Sequence, residues 1–243
     1  MAKELTGKIP PERIGMLTLP PLDTQALAAF RALDDLTGLL ADALDDLGLP
    51  GAIPGSTLRA TDPGARIVGP ALTVLSRPLA LPVAEAVRAN VSRLGEIEAH
   101  NLAVPGDVLV IQGVAGASSV GGMSASIGQR QGELGAIVDG GVRDVAHSRK
   151  IGYPIWSRDV SPLTGKWRIE TVAINVPVSI CGVSVRPGDL VAADEVGVCF
   201  IPRVRVREVH ARVAKFLDYE SRRMAQIDAG VSVPDLAKAK RPA

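Results

Sequence analysis

The sequence predicts a mixed α/β domain with helices at both ends, and three observations carry that reading. Leu27, Phe30, Leu33, Leu36, Leu40, Leu44 and Leu47 recur every three or four residues, the spacing of helices that bury one face. Through the middle, short apolar runs at 108–111 and 136–138 alternate with helical stretches, and the second half is richer in strands, as in a sheet covered by helices. Near the end, Val206, Val209, Val213, Phe216, Leu217, Met224 and Ile227 form one apolar stripe of a long helix. The boundaries read from this pattern are an arm over 1–24, an α/β domain over 25–205, and a C-terminal helix and tail over 206–243.

The elements follow in order. Residues 1–24, with Pro10, Pro11, Pro20 and Pro21, keep no period and are expected to lie over the body. Two helices fill 24–47 and meet near Thr37-Gly38. Residues 48–63 are rich in Gly and Pro and read as loop. Residues 66–75 read as a strand in which Pro70 marks a bulge or an edge, and 82–102 as one helix. Pro105-Gly-Asp107 turns the chain into a buried strand at 108–111. The loop Gly113-Val-Ala-Gly-Ala-Ser-Ser-Val-Gly-Gly122 leads to a helix over 123–131, and the strand 136–138 ends at Asp139-Gly-Gly-Val-Arg-Asp144. A helix over 145–150, a strand at 154–156 and several short strands between 172 and 202 come next. These last strands turn at Arg186-Pro-Gly-Asp189 and Asp194-Glu-Val-Gly197 before the helix over 206–229.

Composition narrows the function. The 27 basic and 26 acidic side chains give no field that would attract phosphates in bulk, and 3% aromatic residues offer no base-stacking platform. Nucleic acid is therefore not an expected partner. The longest apolar candidate, 67–87, is interrupted by Pro70, Arg77, Pro78, Pro82 and Glu85, so no membrane span is expected. The N-terminus lacks the apolar core of a signal peptide, and a cytoplasmic location is expected. Cys181 and Cys199 are too few for a disulfide framework or a four-ligand zinc site. Both fall in apolar runs and read as buried thiols.

Two segments invite chemistry. In the glycine-serine loop, the glycines let backbone approach a ligand, and the free amides at the following helix start suit a carboxylate or phosphate. The loop is neither a dinucleotide fingerprint nor a P-loop, and Gly122-Met-Ser-Ala-Ser126 lacks the closing glycine of a nucleophile elbow. A plain surface loop is the competing reading. The second segment is Asp139-Gly-Gly-Val-Arg-Asp144, at the C-terminal end of a buried strand, where α/β proteins bind ligands. Arg143 offers a fixed cation and Asp144 a hard oxygen that can hold Mg²⁺ once water and substrate oxygens complete the octahedron. A structural Arg–Asp turn is the alternative. His147 lies one helical turn beyond Asp144 and could act as ligand or base. His100 and His210 read as surface or boundary residues of helices.

Several stretches together resemble the RraA-like family, which includes the 4-hydroxy-4-methyl-2-oxoglutarate aldolases. They are Leu39-Leu-Ala-Asp-Ala-Leu-Asp-Asp-Leu-Gly48, Gly64-Ala-Arg-Ile-Val-Gly-Pro-Ala-Leu-Thr-Val74, Pro105-Gly-Asp-Val-Leu-Val110, Gly135-Ala-Ile-Val-Asp-Gly-Gly-Val-Arg-Asp144 and Val185-Arg-Pro-Gly-Asp-Leu-Val-Ala-Ala-Asp194. The resemblance runs from about residue 36 to 203, and the longer chain with its C-terminal helix is similar to the aldolases rather than to the shorter ribonuclease regulators. It implies a β/β/α swivelling-domain fold, a homotrimer or a hexamer with active sites between subunits, and Mg²⁺- or Mn²⁺-assisted cleavage of 4-hydroxy-2-oxo acids or decarboxylation of oxaloacetate.

The family signature is an Asp, twenty residues, Arg-Asp, two residues and an acid. Arg143 and Asp144 match its central pair, whereas Gly122 and His147 stand at the two acid positions. The resemblance also implies that Glu220, on the last helix, reaches a neighbouring subunit's site. A salt bridge to a nearby arginine is the plainer role for it. The expected site thus has Arg143, Asp144, His147 and Glu220 as catalytic groups, Asp144 as metal ligand, and Ser119, Val120, Gly121, Gly122, Met123 and Ser124 with Arg143 around the substrate. Three readings stay open: a metal-assisted lyase on a small oxo-acid, a diverged isomerase, dehydratase or hydrolase on the same scaffold, and a non-catalytic regulator that docks on another protein.

Overall fold

A computed structural model describes residues 3–15 and 21–238. Helices α1 (Thr24–Arg31) and α2 (Leu36–Asp46) each start at an aspartate. Asp23 accepts from the amides of Gln25 and Ala26, and Asp35 from that of Gly38, which satisfies donors that a helix start leaves open. The break therefore falls at 32–35, ahead of the expected Thr37-Gly38 junction, because the cap and not the glycine sets it. Residues 48–63 are not all loop: they hold β1 (Ala52–Pro54) and β2 (Arg59–Ala60), which pair with other strands at opposite ends of the main sheet.

Strand β3 (Ile67–Pro78) runs on past the expected end. Pro70 is not a bulge, since the irregularity lies between Leu75 and Ser76; it does stand at a local edge, paired only with Leu190 of β11 before pairing with β4 begins at Ala71. At Pro70 the strand changes partner, where a residue without an N–H is least costly. The segment 82–102 is two helices, α3 (Val83–Arg88) and α4 (Glu96–Leu102). Asn90, at φ 49°, ends α3 in the left-handed region, and the amide of Val91 bonds back to the carbonyl of Ala86, a helix-terminating pattern that periodicity does not reveal.

The remaining elements are β4 (Val108–Gln112), β5 (Ser118–Val120), α5 (Gly122–Gln131), β6 (Gly135–Val142), α6 (Val145–Lys150), β7 (Ile155–Val160), β8 (Ile169–Ile174), β9 (Val178–Ile180), β10 (Val183–Val185), β11 (Leu190–Ala193), β12 (Gly197–Ile201), α7 (Val206–Asp228) and α8 (Val233–Lys238). The expected glycine-serine loop thus contains a strand, β5. Asp139, Gly140 and Gly141 belong to β6 and not to a turn after it, because the backbone of Val114 and Ala117 passes where side chains at the two glycines would stand.

Among the described residues, ten strands form one mixed sheet in the order β1-β12-β11-β3-β4-β6-β7-β2, with β5 added on β6 and β8 on β3. The centre, β3-β4-β6-β7, is parallel. Strand β4 shows why its sequence is apolar throughout: Leu109 and Ile111 enter the core under α4 and α5, and Val108 and Val110 enter the opposite core, beneath the β9–β10 hairpin. A third core joins α1, α2 and the first half of α7 to β11 and β12. Cys199 lies in that core, where burial pushes its thiol up to about 12. Cys181 departs from expectation. It is only half-buried, at the β9–β10 turn with φ 48°, and its sulfur accepts from Nη2 of Arg158 at 3.3 Å. Among the described residues no helix is long and apolar enough to cross a membrane.

Candidate active site

The parallel strands deliver the chemistry to one place. Strand β6 ends at Val142, and the chain passes through Arg143 and Asp144 into α6. Beside it, β5 runs parallel to β6 and leads through Gly121 directly into α5. Asp144 adopts φ 56°, and its carbonyl accepts from the amides of His147 at 2.9 Å and Ser148 at 3.2 Å. Its carboxylate reaches across to the first amide of α5, with Oδ2 accepting from Gly122 at 2.8 Å. The two segments singled out in the sequence are therefore stitched together at the C-terminal ends of the strands, where such sheets bind ligands.

They face a cavity of about 370 Å³ lined by Ser118, Ser119, Gly121, Gly122, Met123, Ser124, Arg143 and Asp144. Arg143 keeps its guanidinium open. Its nearest acidic atom is Oδ2 of Asp144, 3.8 Å from Nε, and its side chain is 39% exposed. Gly121 makes room for this pair, since a Cβ there would stand 3.1 Å from both Nε of Arg143 and Oδ2 of Asp144. The amides of Met123 and Ser124, in the first turn of α5, have no acceptor among the described residues. The hydroxyl of Ser119 is buried without a partner among the described residues. Leaving such a group unmet costs roughly 1–3 kcal/mol, and a bound oxygen would relieve it.

Several lining residues were missed in the sequence, among them the charged Lys8, Glu96 and Lys166. Each arrives from a distant element, so no local motif announces it. Lys8 and Lys166 add two cations to that of Arg143, and Lys166 also lies 4.2 Å from the centre of the Trp167 ring. Burial raises the Glu96 carboxyl above its usual range, opposed by its own backbone amide. His100 is not a surface residue as expected. It is fully buried and hydrogen-bonded through both ring nitrogens, to Glu133 and to Ser124. His210 sits at a boundary, edge-on to Phe30.

The other expected residues divide. His147 is exposed beside the cavity and its Nε2 lies 2.8 Å from Oγ of Ser126. Val120 is fully buried in the apolar core and does not line the cavity. Glu220 lies half-buried on α7, which packs on α1 and α2, and does not reach this cavity within its own chain.

As a metal site, the donor set is thin. Among the described residues no three His, Cys, Asp or Glu side chains converge. One oxygen of Asp144 is engaged by the Gly122 amide, and Gly122 brings no ligand of its own. The other oxygen of Asp144 fits Mg²⁺ or Mn²⁺ when substrate and water supply the rest of the shell, an arrangement these ions accept. It does not fit an ion held by protein ligands alone.

An open arginine, free helix-start amides and two lysines surround one cavity at the strand ends of an α/β sheet. The chain belongs to the RraA-like family (Aldolase/RraA), whose sequence profile matches residues 37–200. A protein of Halalkalibacterium halodurans named "Putative 4-hydroxy-4-methyl-2-oxoglutarate aldolase" is 32% identical over 191 residues, covering 78% of this chain and 82% of that one. Among solved structures, an uncharacterized protein of Pseudomonas syringae superposes with a TM-score of 0.73 at 28% identity, covering 90% of this chain and 100% of that one. RraAS2 of Streptomyces coelicolor, described as an unusual member of the RNase ES inhibitor RraA protein family, gives a TM-score of 0.68 at 27% identity, covering 84% of this chain and 98% of that one.

Proposed function

We propose that the protein is a lyase acting on a small oxo-acid, either by retro-aldol cleavage that releases pyruvate or by decarboxylation of an oxaloacetate-type acid. The observation that carries this reading is the open Arg143 guanidinium facing the same cavity as the unbonded amides of Met123 and Ser124. Arg143 holds the substrate carboxylate or its keto oxygen through two parallel N–H donors. The amides of Met123 and Ser124 take a second carboxylate oxygen. As the bond to C3 breaks, negative charge grows on the keto oxygen, and the nearby cations lower the energy of that enolate. A divalent cation, when bound, supplies Lewis-acid polarisation of the keto acid, and Asp144 is the residue that would hold it. Glu220, which does not line the cavity of its own chain, is assigned to the site of a neighbouring copy in a trimer or hexamer.

Gly122 and His147 favour a second reading, a diverged enzyme that binds a related acid without cleaving it. One experiment separates the two. The purified protein is given oxaloacetate or 4-hydroxy-4-methyl-2-oxoglutarate with Mg²⁺ or Mn²⁺, and pyruvate is followed through a coupled dehydrogenase. Enzyme-dependent pyruvate release supports the lyase. Binding of both acids with no pyruvate formed under either ion supports the diverged enzyme.

A further inference from the structure

Behind the cavity wall stands a chain of buried polar groups that the reading above does not use. Ser124 lines the cavity and is 9% exposed. Its Oγ lies 2.8 Å from Nε2 of His100, and Nδ1 of His100 lies 2.8 Å from Oε1 of Glu133. Tyr153 donates to the other oxygen of Glu133 at 2.5 Å. Ser124 sits at the middle of the Gly-x-Ser-x-Ser stretch, just after a strand and in the first turn of a helix.

The residues come from α4, from α5, from the turn before β6 and from the turn before β7, so nothing local in the sequence requires them to meet. His100, Tyr153 and Glu133 are all buried, and a buried array of this kind persists only when its members satisfy one another. With Glu133 accepting from Nδ1–H, the Nε2 lone pair faces the Ser124 hydroxyl. That is the arrangement in which an imidazole can accept a hydroxyl proton. Burial and the Glu133 charge hold the Tyr153 phenol well above its usual value, so Tyr153 remains a donor that fixes Glu133.

We propose that Ser124, His100 and Glu133 form the proton relay of the cavity, with Ser124 the catalytic residue that touches the oxo-acid and with His100 and Glu133 as positioning residues acting through it. The inference rests on the lyase reading. In the cleavage direction the C4 hydroxyl proton passes to Oγ of Ser124 as the Ser124 proton passes to Nε2 of His100. The electrons of the C3–C4 bond become the C2–C3 double bond of the enolate, and C4 leaves as a carbonyl. The same proton then returns from His100 through Ser124 to C3, giving pyruvate and leaving the relay as it began. This supplies the proton-transfer capacity that Gly122 and His147 do not offer at the family's acid positions.

The test is exchange of the pyruvate methyl protons with D₂O, followed by proton NMR on the whole protein with Mg²⁺ or Mn²⁺ supplied, together with pyruvate affinity by calorimetry. The wild type is expected to exchange. Ser124→Ala is expected to slow exchange on the order of a hundredfold at unchanged affinity, and Ser124→Thr, which keeps the hydroxyl, to retain most of the rate. His100→Gln, which fills similar space without relaying a proton, should match Ser124→Ala. Wild-type exchange with an equally active Ser124→Ala overturns the relay and leaves the lyase reading standing. A wild type that binds pyruvate but never exchanges it overturns both.

Discussion

At the scale of single residues, the site turns on what Gly122 lacks. A Cβ built there would stand 3.2 Å from Cδ2 of His147 and 3.4 Å from Oδ2 of Asp144. The exposed His147 ring can move aside, so Gly122→Asp would bring a second carboxylate next to Asp144. Two oxygens from the protein hold a hard cation better than one. Calorimetry should therefore find Mn²⁺ or Mg²⁺ bound at least tenfold more tightly by this variant than by the wild type. Equal affinities would remove the link between Gly122 and weak metal retention.

Residues were unevenly legible in the sequence. Arg143, Asp144 and 121–124 could be found because each pair is close in sequence and flanked by a strand or a helix start. Glu96, Lys8 and Lys166 reach the cavity only through the tertiary fold. His100 was misjudged because a lone histidine on a short helix carries no sign of partners 24 and 33 residues away.

At the scale of elements, caps and turns hold the framework in place. Asp35 accepts from Gly38 at the start of α2. Asp35→Ala should cost about 1 kcal/mol, read as a lower midpoint in denaturant at unchanged slope. The turn ahead of β4 carries a pH dependence. Burial raises the Asp107 carboxyl from the ordinary 3.8 to about 6, with the Glu133 charge adding to it and the Val104 amide, at 2.9 Å, and Lys3 opposing it. A carboxyl raised on folding binds its proton more tightly in the native state, so stability falls as pH climbs from 3.8 to about 6 and is level above that. Asp107→Asn keeps an acceptor for Val104 and removes the ionisation. It should be more stable than wild type at pH 7, on the order of 1 kcal/mol after solvent screening, and no more stable at pH 4. Thermal melts at the two pH values check this, and a gain of equal size at both would contradict it.

Periodicity revealed α1, α2 and α7 because each buries a repeating face. It missed the split between α3 and α4, which Asn90 makes through a backbone conformation. It also missed β1, β2 and β5, which are too short to show a period and exist only through their partners.

At the scale of the molecule, α7 is covered for only part of its length. Val206, Val209, Val213 and Phe216 are buried, whereas Leu217, Met224 and Ile227 are 42%, 55% and 47% exposed. Apolar side chains left in water on one helix face mark a surface for association. Light scattering should give a multiple of the 25.3 kDa chain mass, and Met224→Arg with Ile227→Arg should return it to the monomer. A wild-type monomer at micromolar concentration would contradict this and remove the role of Glu220 in a neighbouring site.

The cavity at the end of β6 is the centre of the whole account, and Arg143 is the residue that gives it a purpose. Turnover of Arg143→Lys tests it most directly, with oxaloacetate or 4-hydroxy-4-methyl-2-oxoglutarate as substrate and oligomeric state and melting temperature measured beside it. Lysine keeps the charge but not the planar fork. A variant that folds and assembles as wild type yet loses roughly a hundredfold or more in turnover is the expected result. A variant with reduced stability but normal turnover would show that Arg143 braces the turn, and would contradict the site.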